Sequence, residues 1–412
     1  MADSEVIAGL DIGTDRIRVL VAEYDIDGNL LVSGWGESRS EGMRKGVVVN
    51  IEAAREAVLR AVEAAEHEAG RTVTELWTAL GGASVDSLNS RGVVAVSGKN
   101  REIGETDIGR VLEAARAVVI PMDRDILHVL PQEYIIDDQG GIRNPMDMIG
   151  VRLEAEVHIV TASVSAIKNI EKAIERADYK LGDVALGSLA AARALLSEDE
   201  KEMGVLMIDI GASSTDFILV HGGAPRVTGS IPVGGAQATG DLSIVLKTPV
   251  DSAERIKCEH GCCWDALADV DEPVIIPGVG GRPPVPVPVT ELCRILQPRM
   301  EEIFQIIRRK VEKSYGTGRI SGGVVLAGGG SLLPGVTDVV ARVFDQPARV
   351  GIPRTSVDWP ELCRDARWAT AAGLILLGDA VNRGGSNGES ASRSEESVNP
   401  FKGLIKWLGE FF

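Results

Sequence analysis

The sequence has few basic residues for its length, and this scarcity limits the partners that it can bind. Its 412 residues include 43 Lys and Arg against 60 Asp and Glu, which gives a net charge of −17. Proteins bind nucleic acid through exposed Lys and Arg, so we do not expect nucleic acid to be the main partner. The same deficit excludes a general electrostatic attraction to anionic lipid, and any membrane contact must therefore be local.

Long apolar runs and paired cysteines are also missing. No stretch approaches the ~20 apolar residues of a membrane-spanning helix, and the N-terminus lacks the basic start and apolar run of a signal peptide. The five cysteines are an odd, scattered set, which predicts reduced thiols in a cytoplasm rather than a disulfide framework. The segment 258–263 has no second ligand pair at zinc-site spacing, so we assign no metal to it.

A repeated element gives the first indication of the architecture. VIAGLDIGTDRIRVLV begins at Val6 and VLMIDIGASSTDFILV begins at Val205; each reads as a strand, Asp-Ile-Gly, a small polar turn and a second strand. Asp11 and Asp209 are the matching carboxylates. Two ordinary hairpins would explain either copy alone. A duplication at half-chain spacing, in a chain too long for one core, predicts two related lobes.

The same segments carry features of a site for a nucleoside triphosphate. Small residues at the two turns let the backbone approach phosphate oxygens, and a carboxylate before each turn is suited to hold Mg²⁺ through its waters. After a third apolar strand, VVLAGGGS offers a wall without side chains for the adenosine end. The predicted ATP-binding residues are Asp11, Gly13, Thr14, Asp15, Arg16, Gly211, Ala212, Ser213, Ser214, Gly235, Glu254, Lys257, Gly328, Gly329, Gly330 and Ser331, with Asp11 and Asp209 as the metal-binding pair.

The chain resembles the superfamily of actin, sugar kinases and heat-shock chaperones. The resemblance rests on three segments and on their order along the chain: GLDIGTDRIRVLVAE, LMIDIGASSTDFILV and VVLAGGGSLLPGV. Within this superfamily, ILHVLPQEYIIDDQGGIRNP resembles the FtsA family of bacterial cell-division proteins. The resemblance covers nearly the whole chain. It implies an actin-like, ribonuclease-H-like α/β fold with duplicated mixed sheets and an inserted α+β subdomain. Ala212 and Ser213 depart from the family's more glycine-rich DIGGGTTD, and they bring side chains near the phosphates.

The resemblance also divides the chain into parts. We expect the first lobe at 1–83 and 161–200, with the insertion at 84–160 serving polymer and partner contacts. The second lobe is expected at 201–230 and 315–380, and its smaller subdomain at 231–314. A disordered linker of Ser, Gly, Glu, Arg and Asn is predicted at 381–399. A break or bend is expected near Pro298 in the long helix from Glu291 to Tyr315.

The last residues, 400–412, are predicted to form a helix in the headgroup layer of a membrane. Two lysines lie on its polar face, and a helix docked on the protein or in a partner's groove is the alternative. A single such tail holds weakly, so a polymer carrying many tails would gain avidity. Its apolar face consists of Phe401, Leu404, Ile405, Trp407, Leu408, Phe411 and Phe412.

Membership of this family would imply filaments on the cytoplasmic face of the inner membrane at the division site, tethering of the tubulin-like FtsZ, and recruitment of later division proteins. Arg299 and Glu302 are nominated for binding the FtsZ C-terminal peptide; a helix-surface ion pair is the alternative. Slow ATP hydrolysis at most is expected, with Asp209, Thr215 and Asp216 as candidate catalytic groups. The competing functions are an actin-like adaptor of a pilus or secretion platform and a small-molecule kinase.

Overall fold

The structure is a computed structural model that describes residues 6–268, 273–354 and 359–385. The predicted membrane helix at 400–412, and the linker beyond 385, lie outside these residues. The helices are α1 (Ile51–Ala69), α2 (Glu105–Arg116), α3 (Val164–Arg176), α4 (Gly187–Leu195), α5 (Glu198–Met203), α6 (Gly235–Leu246), α7 (Val250–His260), α8 (Val289–Ser314), α9 (Val336–Phe344) and α10 (Ala369–Gly385).

The strands are β1 (Val6–Ile12), β2 (Arg16–Tyr24), β3 (Leu30–Arg39), β4 (Met43–Arg44), β5 (Val47–Val48), β6 (Glu75–Leu80), β7 (Val85–Ala95), β8 (Arg124–Ile136), β9 (Gln139–Ile142), β10 (Arg152–Ser163), β11 (Lys180–Leu186), β12 (Val205–Ile210), β13 (Thr215–His221), β14 (Ala224–Ile231), β15 (Val274–Ile276), β16 (Val285–Val287), β17 (Val324–Ala327) and β18 (Ala348–Val350).

Two five-stranded mixed sheets repeat one plan, as predicted. The first has the order β11-β6-β1-β2-β3, and the second has the order β14-β13-β12-β17-β18. In each, the strand with the Asp-Ile-Gly motif lies at the centre, pairs antiparallel with the next strand of its hairpin, and pairs parallel with a later strand on its other side. Both faces of these central strands are covered, so β1 and β12 are buried along most of their length.

Helix α1 covers the first sheet because its ends and its packing face are specified locally. Asn50 caps its N-terminus by accepting from the N–H groups of Glu52 and Ala53, and Gly70 ends it in the left-handed region at φ 62°. Alanines fill the buried face of the helix. A side chain at Gly36 of β3 would overlap the carbonyl of Ala61, so glycine sets this close approach.

The inserted subdomain is an antiparallel sheet of order β7-β10-β8-β9 with α2 on one face. Its core contains Ile103 and Val111 from the helical side and Leu153 and Val157 from β10. The insertion also touches the second lobe, where Gln132 donates from Nε2 to the carbonyl of Pro225 at 2.8 Å. It is therefore held between the two lobes.

Helix α8 runs from Val289 to Ser314 with Pro298 inside it, so the helix is not broken there, and the bend expected as the alternative stays a prediction. Proline removes one intrahelical hydrogen bond. Leu296 and Met300, on either side of Pro298, are both buried in the core of the second lobe. This buried face continues across the proline and keeps the helix in one piece.

The last described segment belongs to the first lobe, although it was predicted in the second. Helix α10 begins at Ala369 and continues to Gly385, into the predicted linker. A Cβ at Gly9 of β1 would lie 2.7 Å from the carbonyl of Ala371. A Cβ at Gly373 would overlap the carbonyl of Ala190 in α4. Small residues let α10 pack on the first sheet, and the sequence showed only that they were small.

The stretch 273–288 contains the short antiparallel hairpin β15–β16. Within the described ranges, no helix has the length and apolar character that crossing a membrane requires.

Candidate nucleotide site between two hairpins

The turns of the two Asp-Ile-Gly hairpins contact each other. The N–H of Gly13 donates to the carbonyl of Arg16 at 3.1 Å, and the N–H of Gly211 donates to the carbonyl of Ser214 at 3.0 Å, so both turns close in the same way. The hydroxyls of Ser213 and Thr14 are 2.8 Å apart and hydrogen-bonded. The side chain that departs from the glycine-rich pattern therefore connects the turn of one lobe to the turn of the other.

Burial shifts the two matching carboxylates strongly. It raises the pKa of Asp11 to about 6; the charge of Arg18 lowers that pKa, and the charge of Asp216 raises it. Burial raises the pKa of Asp209 to about 7, and the charges of Asp216 and Asp11 add to the rise. The charge of Asp11 is therefore close enough to Asp209 to raise the pKa of Asp209.

Asp216 is the third carboxylate of this group. It lies directly opposite Asp209 in the pairing of β12 with β13, and burial raises its pKa. The N–H of Gly82 donates to its Oδ1 at 2.8 Å, which favours the charged form. Gly82 lies two residues after the end of β6 in the first lobe, so its bond to Asp216 joins the two lobes.

These carboxylates fit a magnesium ion held through water. Several buried acidic groups with too little positive charge nearby are stabilised by a cation. Among the residues that the structure describes, no three acidic, His or Cys side chains are arranged to hold a metal directly. Mg²⁺ keeps part of its hydration shell and shares it with substrate phosphates, so a direct protein cage is not required.

The second turn is fixed to the start of α6. Its carbonyls at Gly211 and Ala212 accept from the N–H groups of Gly235 and Ala236 at 2.9 and 2.7 Å. Thr215 is fully buried, and its hydroxyl donates to the carbonyl of Val233 at 2.8 Å. The hydroxyl proton of Thr215 is thus already used, and the predicted role in orienting water stays a prediction that this geometry does not favour.

Glu254 and Lys257 lie on one face of α7, as their spacing predicted. The ammonium of Lys257 donates to Glu254 at 2.7 Å and to the carbonyl of Gly235 at 3.2 Å. On the same helix, burial raises the pKa of the Cys258 thiol, and the charge of Asp15 adds a small rise. Asp15 belongs to the exposed first turn, where Arg16 pairs with it at 3.5 Å, so its charge acts on α7 from the first lobe.

The triple glycine closes the site beside Asp209. Gly328 has φ +76°, and a side chain there would overlap the carboxylate of Asp209. Gly329 has open space around its Cα, whereas Gly330 packs on Ile210. The segment after Gly328 is a short 3₁₀ helix, and Ser331 is buried with its hydroxyl on the carbonyl of Gly328. Ser331 therefore shapes this loop, and the α-helix N-terminus predicted here lies further along, at Val336.

Arg18 and Gly82 belong to the site but were not predicted. The pairing of β1 with β2 sets Arg18 opposite Asp11, and Arg18 also binds Glu37 at 2.9 Å. The turn length of the first hairpin was a signal for Arg18, because it sets the register. Gly82 had no such signal, since a backbone N–H is recruited by the tertiary approach of the two lobes.

The residues nominated for the FtsZ peptide lie away from this cleft, on α8. Arg299 binds the carboxylate of Asp241 with two hydrogen bonds, Nε to Oδ2 at 2.7 Å and Nη2 to Oδ1 at 3.0 Å. It also pairs with Glu302. The helix-surface ion pair named as the alternative is therefore present, and the peptide-binding role stays a prediction.

Comparison with known proteins adds the family. A family model described as an SHS2 domain inserted in FtsA matches residues 82–161, and one described as cell division protein FtsA matches residues 206–373. The FtsA of Borreliella burgdorferi is 45% identical over 372 residues, 90% of this chain and 90% of its own length. The chain belongs to the FtsA family. The FtsA of Pseudomonas aeruginosa is 39% identical over 98% of this chain and 97% of its own.

Solved structures show that this FtsA-family fold is actin-like. The chain in a PilM–PilN type IV pilus biogenesis complex has a TM-score of 0.65 at 17% identity, and it covers 90% of this chain and 98% of its own length. MreB5 of Spiroplasma citri bound to ADP has a TM-score of 0.58 at 13% identity, with 93% and 99% covered. At these identities the likeness concerns the fold alone.

Proposed function

We propose that this FtsA-family chain binds Mg²⁺–ATP in the cleft between its lobes and uses the nucleotide to fix the lobe geometry for assembly on a membrane. The observation that carries the proposal is the group of Asp11, Asp209 and Asp216, whose pKa values are all raised where the two turns meet. These half-buried carboxylates have little compensating positive charge, so they favour a bound cation, and a triphosphate supplies that cation's remaining ligands. MreB5, of the same fold, carries ADP in its solved structure.

The contacts around the cleft support control of shape more than fast chemistry. Ser213 with Thr14, and Asp216 with Gly82, connect the lobes at the bottom of the cleft. A nucleotide that touches both turns changes the balance between closed and open lobes by its different affinity for the two states. Helix α4, which follows β11 of the first lobe, has two polar side chains: Ser188 is buried, and Arg193 is a guanidinium, which cannot accept a proton from water. We therefore propose slow hydrolysis at most.

Calorimetric titration of the full chain with ATP tests the nucleotide site. We expect binding with Mg²⁺ present and at least a tenfold loss of affinity with EDTA, about 1.4 kcal/mol, because the metal offsets the charges of both the triphosphate and the carboxylates. GTP, titrated in the same way, controls for binding of any magnesium triphosphate. If titration with Mg²⁺–ATP gave no heat of binding, the proposal would be contradicted.

The membrane and FtsZ parts of the proposal rest on the sequence and on the family. Vesicle co-sedimentation tests the tail at 400–412, with Trp407→Glu on the apolar face and Glu410→Gln on the polar face as a matched pair. We expect Trp407→Glu to release the protein and Glu410→Gln to leave it bound. Equal sedimentation of both variants would contradict the membrane assignment.

Binding of an FtsZ C-terminal peptide tests the nominated α8 surface. Arg299→Glu is expected to weaken that binding, and Arg294→Glu, one turn away and more exposed, is the control. Because Arg299 also binds Asp241, the thermal melt of each variant must be compared with that of the original chain. Unaltered peptide affinity in a folded Arg299→Glu protein would exclude this residue from the site.

A further inference from the structure

A cavity of about 390 Å³ lies beside β13 and β14, where the insertion meets the second lobe. Its walls come from β7 and β10 of the insertion and from β13, β14 and the end of α8 in the second lobe; Leu186 of the first lobe completes it. Volumes of this order suit a small organic ligand. Nothing in the proposed nucleotide site uses these walls.

The lining of this junction cavity is positive, against the trend of the chain. Arg226, Lys310 and Lys313 line it, with Asp86 as the carboxylate among the lining residues, so three positive charges face one negative charge. The chain as a whole has a net charge of −17. Positive charge that lines a concave site concentrates anions there, even in a chain whose net charge is negative.

The three cations keep hydrogen-bond donors for a ligand. Within the described ranges none of them is paired with a carboxylate. Lys310 donates to the carbonyl of Ser230 at 3.2 Å, and Arg226 donates from Nε to the carbonyl of His221 at 3.0 Å. An ammonium has three N–H donors and a guanidinium has five, so both retain donors beyond these bonds.

Apart from Asp86, the rest of the lining is neutral. His158 is buried, with its Nδ1 2.6 Å from Oδ1 of Asn89 and its Nε2 2.8 Å from the hydroxyl of Thr228. Burial lowers the pKa of His158 to about 4, so the ring is uncharged near neutral pH. Val85 and Phe217 supply apolar surface. The positive charge is therefore confined to Arg226 and the two lysines of α8.

We propose that the junction cavity is a binding site for a small phosphate-bearing anion, separate from the nucleotide cleft. Two or three cations with free donors match the charge and the several acceptor oxygens of a phosphate group. The inference does not depend on ATP binding in the cleft, because the two sites share no residue of the proposed ligand set.

Occupation of this cavity would fasten the insertion to the second lobe. At present the two are joined by bonds such as that from the hydroxyl of Ser87 to the carbonyl of Thr228 at 3.0 Å. The cations lie on the second-lobe side and Asn89 lies on the insertion side. A phosphate between them adds contacts to both, so it restricts movement of the insertion.

Hydrogen exchange of the full chain with inorganic phosphate tests the site, with the cleft saturated with Mg²⁺ and a non-hydrolysable ATP analogue. We expect phosphate, at up to about 10 mM, to slow exchange in β7 and β14 in a saturable way. Protection confined to the turns at 13–16 and 211–214 would place the anion in the cleft and overturn the inference, as would the absence of protection anywhere.

Charge variants on α8 sharpen the test. Lys310→Gln combined with Lys313→Gln should weaken phosphate binding at least tenfold, whereas Arg309→Gln, on the same helix but outside the lining, should change it less than about twofold. Lys313→Gln alone should weaken phosphate binding about threefold. Because Lys313 is exposed, this single variant is expected to fold, and it keeps the test valid if the double variant does not. Equal phosphate affinity in Lys313→Gln, the double variant and Arg309→Gln would overturn the assignment.

Discussion

Asp11 lies opposite Arg18 in the first hairpin, whereas Asp209 lies opposite Asp216 in the second. The two hairpins have the same plan, the same buried central strand and the same closed turn. In the first, a cation lowers the pKa of the carboxylate, which still rises to about 6 by burial. In the second, a like charge adds to the effect of burial, and the pKa rises to about 7. The two copies of the element therefore differ in their electrostatics. The carboxylate of the second hairpin has less compensating positive charge, so it favours a bound cation more strongly.

The largest expected effect follows from this asymmetry. Asp209→Asn should weaken Mg²⁺–ATP binding about a hundredfold, near 3 kcal/mol, because it removes the less compensated carboxylate. Asp11→Asn should weaken it only about tenfold, since Arg18 already neutralises part of that charge. Calorimetry of both variants measures the difference. Equal losses of affinity would show that the two carboxylates contribute equally to binding of Mg²⁺–ATP.

The second prediction concerns the segments that pack against each hairpin. Gly9 in the first hairpin meets the backbone of α10, and the carboxylate of Asp209 in the second meets Gly328. Gly328→Ala should lower the unfolding free energy by about 2–3 kcal/mol, from strain at φ +76° and overlap with Asp209.

Gly329→Ala is the matched control, because its Cβ meets open space; it should change the unfolding free energy by less than about 0.5 kcal/mol. Denaturant unfolding of both variants gives the values. A similar small change at both positions would mean that the loop moves away from Asp209 without cost.

The third prediction is a pH dependence of stability without metal or nucleotide. An aspartate whose pKa rises from 3.8 to about 7 on folding binds its proton more tightly in the folded chain. Its contribution to the unfolding free energy therefore falls as the pH rises from about 4 to about 7, on the order of 2 kcal/mol after allowing for its partial exposure. The window for Asp11 ends lower, at about pH 6.

Comparison of the original chain with Asp209→Asn isolates this contribution, since Asp183 and other buried acids remain in both proteins. In EDTA, the variant should equal the original at about pH 4 and exceed it in stability at about pH 8. If the original chain were instead more stable than the variant at the higher pH, the carboxylate would not be buried without compensation.

The smallest effect is expected at the contact between the two turns. Ser213→Ala removes the hydrogen bond to Thr14 and should lower the unfolding free energy by about 1 kcal/mol or less. Ser214→Ala is the control, because the Ser214 hydroxyl lies at 3.5 Å from Asp216 and contributes a weaker bond. Thermal melts of the two variants that do not differ would show that the turns do not stabilise each other.

Some features could be predicted because short segments of the sequence specify them. The hairpins, the buried central strands and helix α1 follow from alternation, turn residues and caps within about twenty residues. The two related lobes followed from the repetition of the motif in one chain, and the actin-like fold was what the family resemblance implied. For the candidate site, the sequence predicted Asp11, Asp209 and Asp216, but not Arg18, whose charge lowers the pKa of both Asp11 and Asp209.

The sequence by itself determined the two lobes, their matching carboxylates and the small residues that let backbones approach, because each depends on local geometry or on a repeat. Only the tertiary structure decided that α10 returns to the first lobe, that the N–H of Gly82 meets Asp216, and that Ser331 and Thr215 turn their hydroxyls inward. These outcomes depend on which surfaces meet across long stretches of chain. A pattern of residue types states that a surface is apolar or small, but it does not state which distant surface will cover it.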